Sequence, residues 1–184
     1  MKIETKRLIL RPLKDSDEKS LIENINNINV SKWLLVVPYP YTKKDAKWWI
    51  NKVKSQWRKK EKEDYNFGIE LKSEKKIIGG IGLSSVNKFQ GDASLGYWLG
   101  ENYWKKKYGS EALDVLLKFA FSKLKLRRIH ADVFKGNPSS GKLLEKFGFQ
   151  KEGLKRKAAK CKANKKIYDC IMYGLLKRDW RKGK

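Results

Sequence analysis

The sequence predicts an α/β (α+β) domain in which helices cover a mixed sheet. Three observations carry this. A first alternating strand is followed by two amphipathic helical stretches. Strand-like runs then form an antiparallel meander in mid-chain. The strongest apolar helical stripe of the chain, Ser110 to Leu124, falls between that meander and a further strand. With 184 residues, four prolines, no internal repeat and no low-complexity linker, residues 1–184 read as a single domain able to bury its own core.

Taken in order, Thr5 to Pro12 alternates apolar and basic residues as a first strand, which the proline ends. Asp15 to Ile28 reads as a helix with Asp15 as cap and Glu18 as its capping-box partner, its apolar face being Leu21, Ile22, Ile25 and Ile28. After the turn Pro38-Tyr39-Pro40-Tyr41, Thr42 caps a second helix and Asp45 complements its dipole. Strands follow at Tyr65 to Leu71, Lys76 to Val86 and Ala93 to Leu99, then the helix Ser110 to Leu124 and a strand from Arg128 to Phe134. Asn137-Pro138 opens a short helix that Gly148 ends in a left-handed cap. Ile167 to Leu176 is a closing strand, and Phe149 to Gly153 adds one before it, giving the order β-α-α-β-β-β-α-β-α-β-β.

Composition excludes several classes. Hydrophobic residues at 40% and aromatics at 12% argue against disorder despite 35% charged residues. No apolar run approaches the roughly 20 residues of a membrane span, and Met1 to Leu10 shows no signal core, so a cytoplasmic protein is expected. Cys161 and Cys170 are then expected to be free thiols. Two cysteines and one histidine do not make a zinc spacing, and no metal is expected; His130, in an alternating run, reads as structural. The formal charge of +24 attracts phosphate-rich partners, nucleic acid among them, or reflects a lysine-rich composition.

The chemistry concentrates in Tyr97 to Ala112, YWLGENYWKKKYGSEA. A strand runs into a lysine-rich turn containing Gly109, and a strong helix begins at once. Unpaired amides and the macrodipole at a helix start hold anions, and Lys105, Lys106 and Lys107 add three charges suited to a diphosphate. The other reading is a solvated turn before an ordinary helix. The spacing is neither a P-loop nor a dinucleotide fingerprint.

This stretch resembles motif A of the GNAT acetyltransferases, Gln/Arg-x-x-Gly-x-Gly/Ala. In the branch that acetylates the N-termini of ribosomal proteins the motif reads Tyr-Trp-Gly-Lys-Gly-Tyr-Ala-Thr-Glu-Ala, and Tyr103, Trp104, Lys106, Tyr108, Gly109, Ser110, Glu111 and Ala112 match it. Thr5 to Pro12, Pro40-Tyr41-Thr42 with Asp45-Ala46, and Asn137-Pro138-Ser139-Ser140 with Leu144 to Phe149 resemble further segments of that branch, in the same order along nearly the whole chain. The resemblance implies a GNAT fold: a twisted, mostly antiparallel sheet of six or seven strands with helices on both faces. It implies acetyl-CoA as cosubstrate, held by Lys105, Lys106, Lys107, Tyr108, Gly109 and Ser110 at the pyrophosphate. Trp98 and Leu99 would pair with the pantetheine arm as an added strand between splayed neighbours, with Asn137 and Ser140 contacting the arm. Ser140, or else Tyr108, would protonate the leaving thiolate. Trp33, Tyr39, Tyr41 and Tyr97 would shape the acceptor's entrance, unless they are core aromatics.

Two departures from the pattern matter. Lys107 stands where motif A has glycine, which is tolerable if its backbone angle is ordinary. The general base is missing: Ser94 and Ala159 occupy positions where related enzymes place carboxylates, leaving Asp92, Glu101, Glu70 or a water relay. A weak base suits an α-amino group, roughly 10% neutral at pH 7, better than a lysine amine at about 0.04%. The expected acceptor is therefore a protein or peptide N-terminus, ribosomal by resemblance. A polyamine or aminoglycoside acetyltransferase is the alternative, and a non-catalytic nucleic-acid- or ribosome-binding protein on the same fold is a third reading. A monomer or a homodimer is expected.

Overall fold

The computed structural model of the chain describes residues 1–181. One eight-stranded sheet runs in the order β1-β2-β3-β4-β5-β6-β8-β7, formed by β1 (Ile3–Glu4), β2 (Leu8–Arg11), β3 (Tyr65–Leu71), β4 (Lys76–Asn87), β5 (Asp92–Leu99), β6 (Arg128–Phe134), β7 (Gln150–Lys160) and β8 (Ile167–Leu176). Every neighbouring pair is antiparallel except β5 with β6. The five α-helices are α1 (Glu18–Ile25), α2 (Ile28–Ser31), α3 (Lys43–Arg58), α4 (Tyr108–Ser122) and α5 (Pro138–Lys146). The larger core lies between the sheet and α4 with the end of α5, around Leu113, Leu116, Leu117, Phe121 and Phe147. A second core on the opposite face packs α1 and α3 on the sheet through Leu21, Ile25, Ala46, Ile50, Val53 and Ile77. Helices thus cover both faces, as the apolar stripes require.

The sheet has eight strands where six or seven were expected. The N-terminal run is a hairpin rather than one strand, because Thr5 Oγ1 accepts the Leu8 N–H at 2.8 Å and turns the chain. The strand beginning near Phe149 continues to Lys160. Almost all its side chains are exposed, so no apolar alternation announces it. Its lysines suit an unpaired sheet edge.

The stretch Asp15–Ile28 is not one helix. Asp15–Asp17 forms a 3₁₀ turn, and Asp17 rather than Asp15 satisfies the start, accepting the Lys14 N–H at 2.7 Å. The chain breaks again at Asn26, whose Oδ1 accepts the Tyr41 N–H, and restarts after Asn27, which caps α2. The Thr42–Asp45 capping box forms as expected, as do α5 behind Asn137 and the left-handed Gly148 after it.

Candidate functional site

β5 and β6 pair only through Asp92–Arg128, Ala93–Ile129 and Ser94–His130. Beyond Ser94 and His130 the two strands part, although β5 runs on to Leu99 and β6 to Phe134. The gap opens at the carboxyl ends of the parallel pair, the usual place for a ligand in such sheets. α4 begins there. A side chain added at Gly109 would lie 3.4 Å from Leu143 and 3.5 Å from Leu99, so the start of α4, the end of β5 and α5 converge on one spot. The Trp98 carbonyl is turned toward β4, where a side chain at Gly79 would collide with it. Backbone groups alternate sides along a strand, so Tyr97 and Leu99 face the gap, and the Leu99 carbonyl already accepts the Trp104 indole N–H at 2.8 Å.

α4 starts two residues earlier than its apolar stripe suggests, at Tyr108, so the amides of Tyr108, Gly109 and Ser110 make up its open first turn. Lys107 is the N-cap at φ 64°, and its side chain caps nothing. Lys105 is also left-handed, at φ 59°. The backbone angle at Lys107 is thus the one that glycine adopts without cost, not an ordinary one. A non-glycine residue there costs about 1 kcal/mol. Lys107→Gly is expected to raise unfolding free energy by about that amount in a urea titration.

The first turn of α4 is latched to the N-terminal hairpin. Arg7 donates its backbone N–H to Glu111 Oε1 at 2.9 Å and its Nε to Oε2 at 2.7 Å, and Nη1 reaches the Lys106 carbonyl at 3.1 Å. Burial alone would raise the Glu111 carboxyl, but hydrogen bonds from the Thr5 hydroxyl and from Arg7 hold it below the usual range. The Arg7 guanidinium lies 4.4 Å from the centre of the Tyr108 ring, which fixes that ring on the hairpin side of the helix. Matching motif residues did not reveal this latch; an acidic residue in a helix's first turn was the available signal.

On the α4 face of the sheet, the Tyr97 hydroxyl lies 2.7 Å from Ser140 Oγ and donates to the Ser140 carbonyl at 3.1 Å. Tyr97 therefore spans the gap as part of its floor rather than shaping an entrance. Burial pushes its hydroxyl up to about 12, against the lowering effect of Ser140, so it stays protonated at neutral pH. Ser140 is held in the first turn of α5 by its N–H, which donates to Asn137 Oδ1 at 3.3 Å. Asn137 is thus a helix cap whose side chain sits beside the gap.

The opposite face is open over β5 at Gly96, beside the part that α1 and α3 cover. Gly96 is exposed in mid-sheet, and a side chain added there would meet nothing within 4 Å. Around this opening, Trp33 packs near Gly136, at 3.8 Å from where a side chain would begin, and tilts against Tyr168 at 6.2 Å. The connection after α2 is tied to the β7–β8 turn by the Lys162 N–H, which donates to the Leu35 carbonyl at 3.0 Å, and Tyr39 lies half-exposed within that connection. Tyr41 is a core residue instead, 5% exposed among the side chains of α1 and α3, and burial raises its hydroxyl. Of the four aromatics, Trp33 and Tyr39 remain on this side.

The carboxylates left as candidate bases are occupied or remote. Glu70 holds Arg11 at 2.5 Å. Glu101 accepts from Asn27 at 2.6 Å and from Asn29 at 3.1 Å. Asp92 begins β5 at the closed end of the gap. Ala159 is buried with Phe134, Cys161 and Cys170, and both cysteines are free and buried.

Comparison with known proteins agrees with this geometry. Residues 7–150 match the acetyltransferase (GNAT) domain. The chain is 34% identical over 178 residues to the uncharacterized N-acetyltransferase p20 of Bacillus licheniformis, covering 96% of each chain. Over 90 residues, 48% of this chain and 46% of the relative, it is 34% identical to the [ribosomal protein uS5]-alanine N-acetyltransferase of Escherichia coli. The spermidine N-acetyltransferase of Vibrio cholerae, solved in complex with CoA and spermine, shares the fold with a TM-score of 0.78 at 22% identity, over 95% of this chain and 98% of that one.

Proposed function

From the premise that this chain belongs to the acetyltransferase (GNAT) family and is an acetyl-CoA-dependent N-acetyltransferase, we propose that it acetylates the N-terminus of a protein or peptide, of ribosomal-protein type. The observation that carries the reading is the gap between β5 and β6 beyond Ser94 and His130, ending at the uncapped first turn of α4. A diphosphate fits those amides and the three exposed lysines. A pantetheine arm fits beside β5 as an added strand.

In this reading the amine approaches from the open face at Gly96 and attacks the thioester carbonyl, which backbone N–H groups of β5 polarise. The C–S bond breaks toward the floor. Ser140 protonates the departing thiolate there, its Oγ held 2.7 Å from the Tyr97 hydroxyl. Tyr108, its ring held by Arg7, serves the cofactor side.

Electrostatics favours an N-terminus over a polycation. A polyamine needs local acid to overcome a charge of +24. Two acids on the open face are paired with cations: Asp132 with Lys155 at 2.8 Å and Glu152 with Arg128 at 2.5 Å. A ribosomal acceptor, embedded in RNA, would instead be attracted.

Acetylation of a peptide library, run beside spermidine and an aminoglycoside, tests the acceptor. Preferential turnover of peptides with free α-amines is expected, and turnover confined to small amines overturns the reading. Replacing Lys105, Lys106 and Lys107 together by alanine is expected to weaken coenzyme A binding roughly tenfold, three exposed charges each contributing about 0.2–1 kcal/mol. Calorimetry should show the deficit shrinking as salt rises.

A further inference from the structure

We propose that His130 is the general base of the acetyl transfer, taking the proton from the acceptor amine on the open face of the sheet. The proposal rests on the acyl-transfer reading above and supplies the base that the carboxylates do not.

His130 is the last residue of β6 paired with β5, opposite Ser94, so it stands where the strands part. Side chains alternate along a strand. Ile129, Ala131 and Val133 are buried in the core under α4, which sends His130 to the other face. Leu95 and Tyr97 of β5 likewise belong to the α4 side, so Ser94 and Gly96 share the face of His130. That face is the open one, and the space above Gly96 lies one residue pair beyond the imidazole. His130 is part-exposed, and its imidazole makes no hydrogen bond among the described residues.

The surroundings of the imidazole suit a proton acceptor. Across the ladder, His130 pairs with Gly174, which has no side chain. The Glu152 carboxylate occupies that space, so closely that a side chain at Gly174 would collide with it. Arg128 binds Glu152 through two hydrogen bonds, at 2.6 and 2.5 Å. Hydrogen bonds from Arg128 hold the Glu152 carboxyl below its usual range, so it remains an anion beside the ring. The other charged groups on this face are Asp132 with its partner Lys155, and Asp92 opposite Arg128; Met172 of β8 adds no charge. Glu152 thus places a carboxylate beside the ring, and imidazole is the side chain that accepts and releases protons near neutral pH.

The protons balance as follows. An acceptor ammonium loses two protons on becoming an amide. His130 takes the first and passes it to water, which leaves the nitrogen lone pair free to form the C–N bond. The second leaves nitrogen for solvent as the C–S bond breaks. Sulfur takes a proton from Ser140, and solvent restores that proton.

The test uses the full chain, acetyl-CoA and a peptide with a free α-amine. His130→Gln is expected to bind acetyl-CoA as the wild type does in calorimetry, and to lose on the order of a hundredfold in kcat/KM at pH 7. The deficit should shrink about fivefold between pH 7 and pH 8, because the neutral fraction of the α-amine rises from roughly 10% to about half in bulk water over that interval. Imidazole added to His130→Ala should restore part of the rate. Wild-type acetylation matched by His130→Gln at every pH, or a constant deficit without imidazole rescue, overturns the assignment of His130 alone. A wild type that fails to bind acetyl-CoA overturns this proposal together with the acyl-transfer reading.

Discussion

Replacing Ser140 by alanine is expected to lower kcat on the order of a hundredfold while leaving acetyl-CoA affinity nearly unchanged. The size follows from the role. A positioned acid matters only once the C–S bond is breaking and negative charge collects on sulfur, so its loss affects the transition state and not the bound ground state. The geometry makes the role specific. The serine lies in a first helical turn, its amide tied to Asn137, and its hydroxyl oxygen is 2.7 Å from Tyr97. Tyr97→Phe should give a smaller loss, because it frees the serine rotamer but keeps the proton. Tyr97 stays protonated until about 12, so it adds no alkaline limb to the rate profile of the wild type below that value. Steady-state rates at saturating acetyl-CoA, with calorimetric affinities, separate these outcomes. An unaltered kcat in Ser140→Ala removes the hydroxyl from the chemistry.

Arg11→Met is expected to destabilise the fold by about 3–5 kcal/mol in urea unfolding. Arg11 is a buried cation with two acidic partners. Its Nη1 and Nη2 donate to both Asp17 oxygens at 2.7 and 2.8 Å, its Nε meets Glu70 at 2.5 Å, and Nη1 also reaches the Pro12 carbonyl at 3.1 Å. The side chains of Arg11, Asp17 and Glu70 are only 11%, 7% and 15% exposed. Methionine fills the volume but leaves two carboxylates without their counter-charge, and that desolvation penalty is the source of the loss. Adding Asp17→Asn and Glu70→Gln to Arg11→Met should recover much of it, since neutral amides have less to desolvate. A loss below about 1 kcal/mol for Arg11→Met would mean that water reaches the triad and screens it. The triad ties β2 and β3 to the segment leading into α1.

The sequence was legible where one local rule decided the outcome. The apolar stripe of α4, the Thr42–Asp45 box, the Asn137–Pro138 start and the glycine cap at 148 each involve a few neighbouring residues, and each formed. It was less legible where distant groups compete for the same atoms. Asp17, read locally, belongs inside a helix that Asp15 caps; Arg11 and the Lys14 amide claim its carboxylate. Tyr41 and Tyr97 have identical chemistry in the sequence, yet one is buried under α3 and the other bridges a gap to α5. The sequence marks β7 only from Phe149 to Gly153, because the exposed, lysine-bearing run on to Lys160 carries no burial pattern to read.

By itself, then, the sequence determined the order of elements from Thr42 onward, the anion-friendly helix start with its three lysines and the Asn137–Ser140 segment. These depend on periodicity, caps and charge, which act between residues close in the chain. Only the tertiary structure decided that β5 and β6 part after Ser94 and His130, that Tyr97 closes one face of the gap, and that the lone histidine faces the open one. Which strand neighbours which, and on which face a side chain emerges, depend on register between segments more than thirty residues apart. That register follows from how the whole sheet buries its apolar faces against the helices.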